Sequence, residues 1–303
     1  MNALLPIFAN NILPIFLAAA GGFLLSKFLN VSPRPISQVA FYLFSPCLIF
    51  NLITGSQLGN DAILRMVGFA VAVILTLGGL AWLIGKTLQL ERHLLIAVII
   101  TTMFSNAGNY GLSLNLFAFG EGALAHASLY FVTMSVLVYT VGVFVSSLGS
   151  SGIKKSLLGL FRVPAVYALF LALLFNALEW DLPLPLDRSV TLLGNAAIPT
   201  LMVLLGLQLG HAQWQGQVKA LGLANLLRLV VSPGIALLFS FIFKLTGSAL
   251  QAGVVESAMP TAVVVTVLAT EFDIEPSFVT TVVFTSTLFS PITVTPLLAY
   301  LGA

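Results

Sequence analysis

Glu256 stands in the run Gly253-Val254-Val255-Glu256-Ser257-Ala258-Met259-Pro260-Thr261, inside an apolar stretch of membrane length. An ionisable side chain at that depth costs at least ~2.5 kcal/mol and is usually paired or functional. Four residues on, Pro260 has no N–H, so the helix loses the hydrogen bond that the Glu256 carbonyl would accept. A carboxylate and a freed carbonyl on one residue suit a hard cation such as Na+; the carboxylate alone suits a proton.

A second run of the same kind is Ser105-Asn106-Ala107-Gly108-Asn109-Tyr110-Gly111. Two glycines among two asparagines are poor helix formers, and Pro260 disfavours helical geometry at Met259, so both stretches are expected to open near their middles. Backbone groups freed at that depth must face protein, water or ligand. Half-helix N-termini attract anions and freed carbonyls attract cations. The expected substrate site is therefore Asn106, Gly108, Asn109, Tyr110, Gly111, Pro260, Thr261 and Ala262. The expected Na+ site is Glu256, Ser105, Asn106 and Met259, completed by Ser128 or Thr133 on the next span, with Thr261 as a further neutral oxygen. Interhelical hydrogen bonding is the structural alternative for each asparagine.

Other polar residues fit structural roles. Arg228, some ten residues into a span, either snorkels to the cytoplasmic surface or pairs with a carboxylate. His126 either titrates or is simply hydrogen-bonded. Asn51 and Asn195 are expected to pack between helices, and Trp82, Trp180 and Trp214 to anchor at the interface. The sole cysteine, Cys47, reads as core filler. Within the spans there are no paired carboxylates, no His-rich cluster and no Ser-His arrangement, so enzyme chemistry is disfavoured and no cofactor is expected.

These groups need an all-helical membrane scaffold to hold them. Of 303 residues 59% are hydrophobic and 7% charged, with mean hydropathy +1.08, against roughly 25% charged in an average soluble domain. The formal charge of +2 is too small to imply nucleic acid. Apolar runs, each long enough to cross a ~30 Å core, place spans at 4–27, 34–56, 62–85, 94–117, 123–147, 157–178, 188–210, 217–244, 249–270 and 276–301. The first has no basic segment before it and is expected to remain as a span. With the N-terminus outside, Lys27, Arg34, Lys86, Arg92, Lys154, Lys155, Arg162, Lys219 and Arg228 fall on the cytoplasmic side; Arg65, Arg188 and Lys244 fall outside. Both termini are thus expected outside the cytoplasm.

The halves 1–150 and 151–303 echo each other. Pro33-Arg34-Pro35 matches Pro183-Leu184-Pro185, Pro46 matches Pro199, and Phe119-Gly120-Glu121 matches Phe272-Asp273-Ile274. Five spans per half is odd, so the second copy enters from the opposite face, an inverted repeat of the kind secondary transporters use. The basic connection from Gly149 to Arg162 is the expected joint.

With these motifs the chain resembles the auxin efflux carrier family, within the bile acid/sodium symporter-like superfamily. The resemblance is carried by Ser105–Leu112, Gly194-Asn195-Ala196-Ala197-Ile198-Pro199, Ala258-Met259-Pro260-Thr261-Ala262 and Ser286-Thr287-Leu288-Phe289-Ser290-Pro291. It implies ten helices in two inverted five-helix repeats, with broken helices 4 and 9 crossing at the substrate site and two domains, each drawn from both repeats, moving as an elevator. It further implies an organic-anion substrate, auxin-like or dicarboxylate. The short central loop looks bacterial, which implies the inner membrane, and the resemblance to the plant carriers implies a homodimer. In sodium-coupled relatives a glutamate and an asparagine at the positions of Glu256 and Asn106 help bind sodium. Plant carriers are thought to work without such coupling and have prolines at both crossovers; this chain has Pro260 but Ala107. The expected activity is secondary transport of a small organic anion, Na+-coupled, with proton-coupled or uncoupled transport and a non-transporting metabolite receptor as the alternatives.

Overall fold

A computed structural model describes residues 4–55, 58–148, 164–210 and 217–303. The described residues form helices α1 (Leu4–Leu29), α2 (Pro33–Gly55), α3 (Asn60–Thr87), α4 (Arg92–Met103), α5 (Ala107–Ser147), α6 (Pro164–Ala177), α7 (Leu184–Gly210), α8 (Val218–Ile242), α9 (Gly247–Ala258), α10 (Val264–Glu271) and α11 (Pro276–Leu301). Among them no strand occurs, only one isolated antiparallel bridge between Ser105 and Thr261.

Seven of these helices, α1, α2, α3, α5, α7, α8 and α11, are long and apolar enough to cross a membrane. The expected fourth and ninth spans are each divided, which is why α4, α9 and α10 are short. The joint from Gly149 to Arg162, with Lys154 and Lys155, lies outside the described residues, as does Trp214. At 41 residues α5 would be about 62 Å long if straight, twice the ~30 Å apolar core. Gly120 interrupts it with φ 76°, ψ −167°, a conformation open to glycine alone, and so separates the expected fourth span from the fifth.

Prolines shape the helices around the site. The π turns Phe8–Ile12, Ala40–Phe44 and Leu227–Val231 each end two residues before a proline, Pro14, Pro46 or Pro233. The carbonyl four residues before each proline has no N–H to meet, and the wider turn takes up the mismatch. Leu184 and Pro185 open α7 as Pro33 opens α2, since the first turn needs no N–H.

Packing separates the helices into two sets. In one, α1 lies on α7 backbone to backbone: a methyl on Gly22 or Gly206 would overlap the carbonyl of Val203 or Ala19. Small residues allow such approach where lipid offers no hydrophobic drive. In the same set Gly194 fits against Leu48, Phe50 stacks edge-on with Phe175 at 5.4 Å, and Asn176 donates to the Ile53 carbonyl at 2.9 Å. In the other set Gly78 faces Met103, Gly142 faces Phe104, and Gly253 faces Phe69, which also packs on Tyr130 and Phe243. The broken helices belong to this second set.

Candidate functional site

The site is built where the two broken spans meet. Helix α4 ends at Met103 and Phe104 is extended; α9 ends at Ala258 and Met259 is extended. The two extended stretches run antiparallel: Asn106 N–H donates to the Pro260 carbonyl at 2.6 Å and Ala262 N–H to the Phe104 carbonyl at 2.9 Å. Each break thus satisfies the backbone groups freed by the other, as burial in an apolar medium demands. Side chains from both sides lock the crossing. Thr261 donates through Oγ1 to the Thr101 carbonyl at 2.8 Å and through its N–H to Ser286 Oγ at 3.1 Å. Ser105 Oγ donates to Met134 Sδ at 3.6 Å.

Past the crossing, both chains resume helix, and the starts of those helices line one cavity of about 230 Å³ between the two helix sets. Gly108 and Asn109, in the first turn of α5, face it from one side, and Ala262, Val263 and Val264, where α10 begins, from the other. The first N–H groups of a helix have no intrahelical acceptor and carry the positive end of its dipole. Asn106 and Ser105 add polar groups from the crossing, and Asn106 Nδ2 meets no hydrogen-bond partner among the described residues. Gln208 of α7 closes the far wall and accepts from Asn109 Nδ2 at 2.9 Å. Phe41, Tyr42, Phe131 and Tyr139 supply aromatic walls, and among the described residues no charged side chain lines the cavity.

Glu256 points elsewhere. It is fully buried, and its Oε1 accepts from Asn115 Nδ2 at 3.0 Å. The same amide also donates to the Gly111 carbonyl at 3.0 Å. Among the described residues Glu256 Oε2 and Asn115 Oδ1 meet no hydrogen-bond partner. Gly111 is glycine for a direct reason: a methyl there would stand 2.6 Å from Glu256 Cδ and 2.7 Å from Oε1, and closer still to Oε2.

The family described as membrane transport protein matches residues 7–298. The chain belongs to that family, the auxin efflux carrier family of transporters. It is 27% identical over 263 residues to an uncharacterized transporter of Methanocaldococcus jannaschii, covering 84% of this chain and 85% of that one. It is 26% identical over 275 residues to a putative malonate transporter of Rhizobium meliloti, covering 85% and 83%. It is 26% identical over 145 residues to auxin efflux carrier component 8 of Arabidopsis thaliana, covering 44% and 39%. The protein is a multi-pass membrane transporter.

Of the residues expected to bind substrate, Asn106, Gly108, Asn109 and Ala262 line the cavity. Tyr110 turns away to an edge-on contact with Phe16 at 5.9 Å and accepts from Ser290 at 3.5 Å. Gly111 serves Glu256, and Pro260 and Thr261 are spent on the crossing. Of the expected cation ligands, Ser105 and Asn106 face the cavity. Ser128 and Thr133 donate to carbonyls of their own helix, Ala125 at 2.7 Å and Leu129 at 2.8 Å, and no hydrogen bond joins either to Glu256. The Glu256 carbonyl is not free as expected, because Met259 N–H reaches it at 3.4 Å across the last turn.

Arg228 neither snorkels nor meets a carboxylate. It is fully buried and its hydrogen bonds go to carbonyls and a serine. His126 is hydrogen-bonded to the Gly122 carbonyl at 2.9 Å. Asn51 touches the Gly194 turn, but Asn195 is exposed there, since the turn between the two parts of α7 carries it outward. Trp82 and Trp180 are exposed, as interfacial anchors are. Asn115 and Gln208 escaped the sequence reading. Asn115 lies four residues beyond Gly111, a helical neighbour that the period alone could have flagged.

Proposed function

We propose that this transporter is a secondary carrier of a small organic anion, working by elevator-type alternating access. The observation that carries this reading is the cavity: two helix N-termini converge on it, and among the described residues uncharged donors and aromatic rings line it and no carboxylate does. Such a lining favours a carboxylate with an apolar or short dicarboxylic body. The names of two relatives, a putative malonate transporter and an auxin efflux carrier, agree in that chemistry.

In this reading the chain is two inverted five-span repeats, 1–150 and 151–303. Support comes from the reciprocal bonds of the crossing and from the proline-opened α2 and α7 at matching places. The cavity lies between the set holding α1, α2, α6 and α7 and the set holding both broken helices, so sliding one set past the other would carry the substrate with it. Both termini would lie outside the cytoplasm in a bacterial inner membrane, by the placement of basic residues.

Glu256 is the coupling group in this reading. Its Oε2 and the neighbouring Asn115 Oδ1, both buried and unpaired, are two oxygens fit for Na+. A proton on Oε2 is the second reading, because it turns an unpaired acceptor into a donor.

Malonate counterflow tests the activity. Proteoliposomes loaded with unlabelled malonate or another short carboxylate should accumulate the labelled compound transiently. Binding of such anions with no exchange would mean a receptor. Coupling is tested by melting the purified protein as Na+ replaces choline at constant ionic strength. Wild type should gain stability as RT ln(1 + [Na+]/Kd) and Glu256→Gln should not. No gain in either protein would remove sodium and leave the proton.

A further inference from the structure

Arg228 is the largest fully buried side chain among the described residues, and it lines no part of the cavity. It sits in the π turn Leu227–Val231 of α8, a kind of turn common at functional sites. Its guanidinium reaches both broken spans at once. Nη1 donates to the carbonyls of Thr102 at 2.7 Å and Met103 at 3.4 Å, which end α4. Nη2 donates to the Ser257 carbonyl, at the end of α9, and to Ser232 Oγ at 2.6 Å. Ser232 donates in turn to the same Ser257 carbonyl at 2.5 Å.

The last carbonyls of a helix lack intrahelical partners and form the negative end of its dipole. Two such ends converge here, and one planar fork of donors serves both, which a single ammonium would do less well. All the acceptors are neutral dipoles, so they stabilise the guanidinium without cancelling its charge. Among the described residues the one ion pair is Arg65 with Asp61, far along the chain.

We propose that Arg228 is the resident cation of the crossover. Half-helix C-termini in transporters of this build can coordinate a bound Na+ or proton; here a side chain of the protein holds that position permanently. It fastens the two broken spans to α8, so that α4, α9 and α8 move as one body. Resting on the reading of the cavity as an anion site, its fixed charge also supplies positive potential there. The Met103 carbonyl that it holds is two residues from Ser105 in the cavity wall. Arg228 is a positioning residue and does not touch the substrate.

Chemical rescue tests this without any knowledge of the substrate. Arg228→Ala should melt roughly 10 °C below wild type, since unpaired carbonyls remain buried. Millimolar guanidinium chloride should raise its melting temperature saturably, whereas choline chloride should not, and wild type should respond to neither. Arg228→Lys, which keeps the charge, should melt above Arg228→Met, which keeps the bulk. Failure of guanidinium to rescue, or Arg228→Met melting with wild type, overturns the proposal. If Arg228→Ala does not fold, the order of the lysine and methionine variants decides, and the reverse order refutes it. Malonate counterflow by wild type tests the carrier reading separately, so failure of one leaves the other standing.

Discussion

Replacing Gly111 by alanine probes the contact between the two broken spans through a single methyl. That methyl would stand 2.6 Å from Glu256 Cδ and 2.7 Å from Oε1, about 1 Å inside the ~3.5 Å of ordinary contact. Neither side can give freely. Gly111 is bonded through its N–H to the Asn106 carbonyl at 3.0 Å and through its carbonyl to Asn115 at 3.0 Å. The carboxyl is fully buried and tied to the same asparagine. Overpacking of this kind costs about 1–3 kcal/mol, and displacing Glu256 from its one hydrogen-bond donor adds about 1–3 kcal/mol more. The assay is thermal melting in a double-mutant cycle. Gly111→Ala alone should lose about 2–6 kcal/mol. In a Glu256→Ala background, where space has been made, the same substitution should cost at least ~1 kcal/mol less. Equal losses in the two backgrounds would mean that the methyl and the carboxyl do not meet, and would refute the packing.

Three further outcomes follow from the same geometry. Gly206→Ala should separate α1 from α7, because its methyl overlaps the Ala19 carbonyl; a loss of more than ~2 kcal/mol is expected on melting. Ser286→Ala removes the acceptor of the Thr261 N–H and should cost about 1–3 kcal/mol, while Ser286→Thr should retain most of it, again read by melting. Asn109→Ala leaves Gln208 Oε1 without its donor and opens the cavity wall, so it should weaken anion exchange more than tenfold while shifting the melting temperature little. Unchanged exchange by Asn109→Ala would place the substrate elsewhere.

Much of this protein is written locally. Membrane-length apolar runs set the helices because hydrocarbon forces every backbone group into an internal bond. The two breaks could be placed to within a residue or two, since proline and paired glycines act on their own backbone. The family was legible from short motifs around those breaks, and so were five of the residues that face the cavity, Ser105, Asn106, Gly108, Asn109 and Ala262.

What each break does with its freed groups depended on a second segment some 155 residues away. Only the tertiary structure pairs Asn106 with Pro260 and Phe104 with Ala262, and so places Pro260 and Thr261 in the crossing itself. The same holds for Glu256, whose partner is Asn115, and for Arg228, whose ligands are main-chain carbonyls and therefore carry no residue signature to search for. The proline that loosens the turn of Arg228, Pro233, was visible in the sequence, but the direction of the side chain was not. Sequence determines where a helix must open, because that is a property of one chain segment; which groups fill the opening is a property of packing between segments.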